Sequence, residues 1–319
     1  MKKFKALLFI FIFFSAFLPA RELDFSVSPY TALSFGTHYE HLYSGLSKGK
    51  EVSRLEWKMN PLWTLGAEAS VKLRPLLFTL GAEFALPLEC GQMLDSDYSY
   101  SIKPDEKIKY CYSINELKSE KNFRTHFDAS LIWNISDTLF IMPTASVYYF
   151  YDSFEARKGY GWYGQETNDH SLVAWDDPRA KYYAKGQLNG VNFYRHSLFT
   201  FLGSKYTLAL GRFEFNLECL FSPYTYFYTM DTHLSKKRDY HLKQIQKSYF
   251  THYLLGGGLQ YKINNRLKVY SSLSYLTGNT ASGKLYHDYT QKEILLSDQT
   301  SGASLDYTSL KMGLVVDCW

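Results

Sequence analysis

From Trp63 onward the chain alternates. Odd positions Trp63, Leu65, Ala67, Ala69, Val71 and Leu73 are apolar, while Thr64, Gly66, Glu68, Ser70 and Lys72 between them are polar or small. Period-two patterning of this kind predicts a strand with one oily face. After Arg74-Pro75 the apolar phase passes to the even positions Leu76, Phe78, Leu80, Ala82, Phe84, Leu86 and Leu88, opposite Thr79, Gly81, Glu83 and Glu89. Phe213, Phe215, Leu217, Cys219 and Phe221 alternate in the same way with Arg212, Glu214, Asn216 and Glu218, and Leu310, Met312, Leu314 and Val316 close the chain. Runs of about ten residues or more are long for a soluble sandwich, whose strands are usually about five or six residues.

The connections predicted between such strands alternate in length. Short links fall near Arg74-Pro75, Ser136-Asp137, Gly203-Ser204 and Asn264-Asn265, and long polar ones run from His38 to Ser53, Cys90 to Lys121, Arg157 to Lys185, Asp231 to Gln246 and Gly278 to Ser301. Four short and five long connections join ten strands, with both termini on the short-turn side. The fold class expected is therefore all-β: a ten-stranded antiparallel transmembrane β-barrel with long extracellular loops. Hydrocarbon offers no partner to a backbone amide, and only a closed barrel of strands leaves no unpaired edge. A secreted soluble β-protein with aromatic-rich strands is the competing reading.

Composition points the same way. Aromatics make up 18% of the 319 residues, with 28 Tyr, 23 Phe and 6 Trp, enough for girdles at two membrane interfaces. Residues 1–20 read as a signal peptide: Lys2, Lys3 and Lys5 precede an apolar run from Ala6 to Phe14, with cleavage expected after Ala20. Residues 21–319 would form the barrel, located in the outer membrane. Without the leader, 32 basic residues face 31 acidic ones, so nothing suggests a nucleic-acid partner. Trp319 supplies a terminal aromatic, but it falls out of phase with the apolar stripe of the last strand.

Most loop charges, including Asp176, Asp177, Lys236, Lys237 and Arg238, read as solvated surface. Two pairs at spacing two stand apart: Asp95 and Asp97, and Asp231 and His233. In a strand that spacing puts both side chains on one face. Asp95 and Asp97 continue the polar, inward phase of Thr79, Gly81 and Glu83. Asp231 and His233 share the odd phase of lipid-facing Phe213 and Phe221, so they can point inward only if the register breaks, and Pro223 is the candidate for that break.

The motifs around these pairs resemble those of the omptins, outer-membrane aspartyl-type endopeptidases. Val52-Ser53-Arg54-Leu55-Glu56-Trp57-Lys58 is similar to the segment that opens their second strand, and Gly91-Gln92-Met93-Leu94-Asp95-Ser96-Asp97-Tyr98 to their Gly-x-Met-x-Asp-x-Asp-aromatic segment. Asp231-Thr232-His233 stands where the family has Asp-x-His, and Ser153-Phe154 with Ala156-Arg157 echoes a further stretch. The resemblance implies a peptidase acting on peptide or protein substrates. His233 would be the general base, Asp231 would fix its tautomer, and Asp95 and Asp97 would share a proton and orient the attacking water. It also implies a monomer and no cofactor, apart from lipopolysaccharide or another outer-membrane lipid. The family's arginine cluster for that lipid is not recognisable, and Tyr149 and Tyr151 occupy part of its place.

Specificity departs from the family pattern. Glu40, in Tyr39-Glu40-His41-Leu42-Tyr43, aligns with one member of the acidic pair that receives a basic side chain before the cut, but the other member is Thr229. Cleavage near basic residues is the expectation, weakened by that loss. Cys90 and Cys111 bracket the loop carrying Asp95 and Asp97, and a bridge closing about twenty residues would stabilise it by roughly 3 kcal/mol. Cys219 and Cys318 read as lipid-facing fillers, and no cysteine or histidine pair has the spacing of a metal site. Two other functions compete with the peptidase: a non-catalytic adhesin or host-protein-binding barrel, and a small-solute channel.

Overall fold

The computed structural model describes residues 23–44, 49–103, 105–168, 170–234, 240–288 and 294–318. The leader expected at 1–20, Trp319, and the basic run Lys236, Lys237 and Arg238 lie outside the described residues. Within them the chain forms strand segments β1 (Asp24–Ser44), β2 (Lys50–Leu73), β3 (Leu76–Ala85), β4 (Glu89–Ser99), β5 (Ile108–Ser119), β6 (Phe123–Leu131), β7 (Trp133–Asn134) and β8 (Leu139–Tyr163). They continue as β9 (Lys181–Leu188), β10 (Val191–Leu210), β11 (Phe213–His233), β12 (Tyr240–Ser248), β13 (His252–Lys262), β14 (Leu267–Gly278), β15 (Ala281–Asp288) and β16 (Ile294–Asp317). Five of these are single staves of a barrel, and the others join end to end into five more. Every pairing is antiparallel, and β1 bonds both β2 and β16, which closes the ring of ten.

The predicted lipid face is the observed one. Trp63 and Leu65 are 48% and 52% exposed, Leu80 and Phe84 57% and 60%, in a molecule whose inward positions are buried. Phe213, Phe215, Leu217, Phe221, Leu310, Met312, Leu314 and Val316 complete the belt. Inside it, charges are paired: Lys311 Nζ lies 3.1 Å from Glu68, and Lys205 Nζ 2.7 Å from Asp128. A cavity of about 820 Å³, lined by these groups and by Arg74, Pro75 and Asn134, occupies the short-turn half. Above it Trp57, Phe154, Phe193, Phe199, Phe201 and Phe227 are fully buried and fill the barrel.

Three sequence expectations need correction. The link predicted at Gly203-Ser204 is inside β10, where Gly203 pairs with Leu220; the turn is at Gly211 and Arg212. Gly211 has φ +62, which glycine adopts at little cost, whereas Gly203 is small because a Cβ there would overlap the Cys219 carbonyl. The long polar connections are mostly paired strand. β1 and β2 run to Ser44 and from Lys50, and β4 and β5 run to Ser99 and from Ile108, so the barrel wall rises well above its apolar belt. Out of the hydrocarbon both faces can be polar, and the alternation that marks a strand in sequence disappears.

The third concerns the cysteines. Cys90 and Cys111 are both free. Cys111 sits opposite Asp97, while the Cys90 end of β4 lies by Lys118. The two are roughly 20 Å apart at ~3.3 Å per residue, against a Cα separation of about 5.5 Å in a bridge.

Candidate active site

Register breaks position the site. Along β11 the exposed residues are odd up to Phe221, but the buried ones are Thr225, Phe227, Thr229 and Asp231. The reversal coincides with a bulge: Thr200 pairs with Tyr224 and Leu202 with Phe221, leaving Ser222 and Pro223 as the surplus. A bulge at Pro223 is therefore what turns Asp231 and His233 inward. In β2, Asn60 and Pro61 act likewise, carrying burial from Leu62 to Met59, Trp57 and Leu55. Proline lacks the N–H a ladder needs, so a bulge is where it fits.

β4 carries the other pair. Asp95 stands opposite Leu55 and Ser113, and Asp97 opposite Ser53 and Cys111. The neighbouring Ser53 hydroxyl and Cys111 thiol favour the charged form of Asp97. Each aspartate keeps some solvent access. Even so, the dense surround raises both, Asp95 well above the usual carboxylate range, and the neighbouring charges of Asp97 and then Glu40 push Asp95 further.

Upstream, Gly91 sits at a bulge with φ +142, and a Cβ there would overlap the Lys58 carbonyl. Gly91→Ala should displace β4 and the Asp95–Asp97 pair with it. We expect a loss of about 1–3 kcal/mol of stability, read as a lower urea midpoint. An unchanged midpoint would contradict this role for the glycine.

Asp231 is fully buried and belongs to a second carboxyl pair, with Glu40 of β1, also fully buried. No N–H or O–H donor in the described residues reaches either oxygen of Asp231. Burial, then Glu40, and finally Asp95 raise Asp231 well above its ordinary value, with Arg195 opposing. Asp95 and Asp231 lie on β4 and β11, which are not neighbours in the sheet.

His233 does not hydrogen-bond Asp231. Its ring stacks on Tyr240 at 4.6 Å, and Tyr240 stacks on His287 at 5.4 Å. Among the described residues, none hydrogen-bonds the buried His233 Nε2. Burial, with His287 adding to it, lowers His233 to about 4, so the imidazole is neutral at pH 7.

Glu40 and Thr229 do come together, but around a side chain that the motifs did not reveal. Arg195 of β10 donates through Nε to Thr229 Oγ1 at 2.9 Å and through Nη2 to Glu40 Oε1 at 3.4 Å. Gln244 of β12 donates to the other Glu40 oxygen at 3.2 Å. Arg195 was detectable in principle, since it shares the buried phase of Val191, Phe193, Ser197 and Phe199. A lone cation in that phase must have an internal acid. Gln244, Tyr240 and Cys111 carried no such signal.

The sequence model of a family described as the Omptin family matches residues 22–317. Among solved structures, the outer membrane protease OmpT from Escherichia coli superposes with a TM-score of 0.79 at 15% identity, over 92% of this chain and 96% of that one. The translocator domain of the autotransporter NalP from Neisseria meningitidis matches at 9% identity and a TM-score of 0.38, over 92% and 88% of the two chains, a likeness too slight to argue from. No curated protein matches the chain by sequence.

Proposed function

The chain belongs to the Omptin family, and from that premise we propose an outer-membrane endopeptidase that hydrolyses peptide bonds with a water activated between His233 and the Asp95–Asp97 couple. The observation that carries this reading is the convergence of β4 and β11. Both strands turn their acids into the barrel, Asp95 opposite Leu55 and Ser113 and Asp231 fully buried, and among the described residues no group hydrogen-bonds His233 Nε2 on the same face of β11.

His233, neutral at pH 7, takes a proton from water as the water oxygen attacks the scissile carbonyl carbon. Asp95 and Asp97 hold one proton between them, which lets the couple orient the water and donate toward the developing oxyanion. Asp231, two residues along the same face of β11, does not hydrogen-bond the imidazole and takes no part in the proton transfer. The same proton then passes to the leaving amine, and the products are a carboxylate and an amine. The mechanism is of the aspartic type without an acyl-enzyme.

In this reading residues 1–20 are a signal peptide, and the end of the barrel carrying the site faces outside the cell, with the short turns on the periplasmic side. The protein is a monomer, and its remaining partner is an outer-membrane lipid. Tyr149, Tyr151, Tyr194 and His196 form an aromatic cluster on the outer wall, with the Tyr149 hydroxyl 2.7 Å from His196 Nδ1, in place of a basic one. The channel alternative finds no support in a barrel whose middle is filled by Trp57, Phe193 and Phe199. The adhesin alternative predicts no hydrolysis at all.

Refolded protein incubated with a peptide library, with products read by mass spectrometry, tests the proposal: discrete internal cuts are expected, and none from a His233→Ala variant. A library left intact across pH 5–8 would remove the enzyme. The pH profile carries a separate expectation. A base lowered to about 4 is already neutral at pH 5, so kcat/KM should hold on the acid side and fall only as pH drops through about 4. An ordinary histidine would give an inflection near 6.5, and finding the inflection there would count against His233 in this environment. On the alkaline side the rate should fall when the proton shared by Asp95 and Asp97, retained above the usual carboxylate range, is lost.

A further inference from the structure

We infer that Arg195 holds, from within the barrel, the place a substrate's basic side chain would need, so that cleavage follows uncharged residues in preference to arginine or lysine. The inference rests on the peptidase reading above and specifies its substrate class.

Every donor of the Arg195 guanidinium has an acceptor. Nε serves Thr229 Oγ1 at 2.9 Å, and Nη1 serves the Ser304 carbonyl at 3.1 Å and His38 Nδ1 at 3.4 Å. Nη2 serves the Tyr39 carbonyl at 2.9 Å and Glu40 Oε1 at 3.4 Å. A guanidinium has five N–H donors, and all are used. Its Cζ lies 5.3 Å and 5.4 Å from the rings of Phe193 and Phe227, which hold it from both sides. Arg195, Glu40 and Thr229 are each 0% exposed.

Glu40 is correspondingly spent, with one oxygen on Arg195 and the other receiving Gln244 Nε2 at 3.2 Å. Arg195 is thus the cation already paired with Glu40, both side chains being fully buried. Thr229 adds no charge. An incoming ammonium or guanidinium would meet a like charge already in place, in a site of low dielectric, where such juxtapositions cost several kcal/mol. An uncharged side chain meets no such penalty. Specificity by a repulsive element needs no new attractive contact.

The wild-type protein gives the primary test. Among matched peptides differing only at the residue before the cut, those with alanine, leucine or phenylalanine should exceed those with arginine or lysine by at least about tenfold in kcat/KM. Titration with L-argininamide, followed by NMR or calorimetry, reads the same pocket without requiring hydrolysis, and wild type should not bind it. Arg195→Gln and Arg195→Met, with folding checked by heat-modifiable migration, should gain argininamide binding and shift cleavage toward basic residues by about tenfold or more. Arg195→Lys, which keeps the charge, should not.

Equal or faster cleavage after arginine by wild type, or argininamide binding as tight as in Arg195→Gln, would overturn the inference. If no peptide is cut, the peptidase reading fails, while argininamide binding still decides whether Arg195 excludes cations. Should neither neutral variant fold, the wild-type measurements alone still decide.

Discussion

His233→Ala should lower kcat/KM by about 100- to 10,000-fold, the range over which a positioned general base contributes, or roughly 3–5.5 kcal/mol of barrier. The size follows from how little else in the site can take a proton from water at pH 7. Burial raises Asp95, Asp97 and Asp231, and neighbouring acids raise Asp95 and Asp231 further, so in this reading the Asp95–Asp97 couple orients the water instead of deprotonating it. His233 is lowered to about 4 and so is neutral at pH 7, and among the described residues no group hydrogen-bonds its Nε2. Alanine also unstacks Tyr240, whose ring lies 4.6 Å from that of His233, so folding must be monitored alongside activity. His287→Ala, one ring further along the stack, is the matched control and should cost far less. A His233→Ala protein retaining more than about a tenth of wild-type activity would lie outside that range and remove the general-base role.

The second large effect is on stability. Arg124 sits inside the barrel with 5% of its side chain exposed, donating to Asp152 at 2.9 Å and to Glu83 at 3.5 Å. It also donates to the Tyr307 hydroxyl, and its Cζ lies 4.3 Å from the Tyr307 ring. Arg124→Met keeps most of the volume but leaves Asp152, fully buried, with His38 at 3.4 Å and the more remote charge of Arg195. Removing one partner of a buried ion pair typically costs about 3–5 kcal/mol because the other charge is stranded, whereas replacing both can be nearly neutral. Urea unfolding in lipid vesicles should therefore report a drop of that size for Arg124→Met and substantial recovery when Asp152→Asn is added. A cost under about 1 kcal/mol, or a double variant no better than the single one, would mean the network does not carry this load.

Membrane-embedded strands were legible because one solvent dictates them. Hydrocarbon on one side of Trp63–Leu73 and Leu76–Leu88 leaves a residue-by-residue imprint, and Trp63, Leu65, Leu80 and Phe84 are exposed as that imprint requires. Above the belt the imprint fades. Segments such as 91–99 and 108–119 look like polar loops yet are β4 and β5, because water tolerates polar groups on both faces. The need for a break near Pro223 could be stated from phase alone. That the break exists, and that Asn60 and Pro61 make a matching one in β2, required the pairing of neighbouring strands.

The sequence by itself determined the staves, their lipid face, and the two pairs Asp95–Asp97 and Asp231–His233, since each depends on residues close together in the chain. Tertiary structure decided what those pairs meet. Arg195 reaches Glu40 across 155 positions and Gln244 reaches it across 204, and no local pattern encodes such distances. Charge in a closed barrel is balanced across the lumen rather than along a strand. The acid expected to receive a substrate's cation is thus found holding the chain's own.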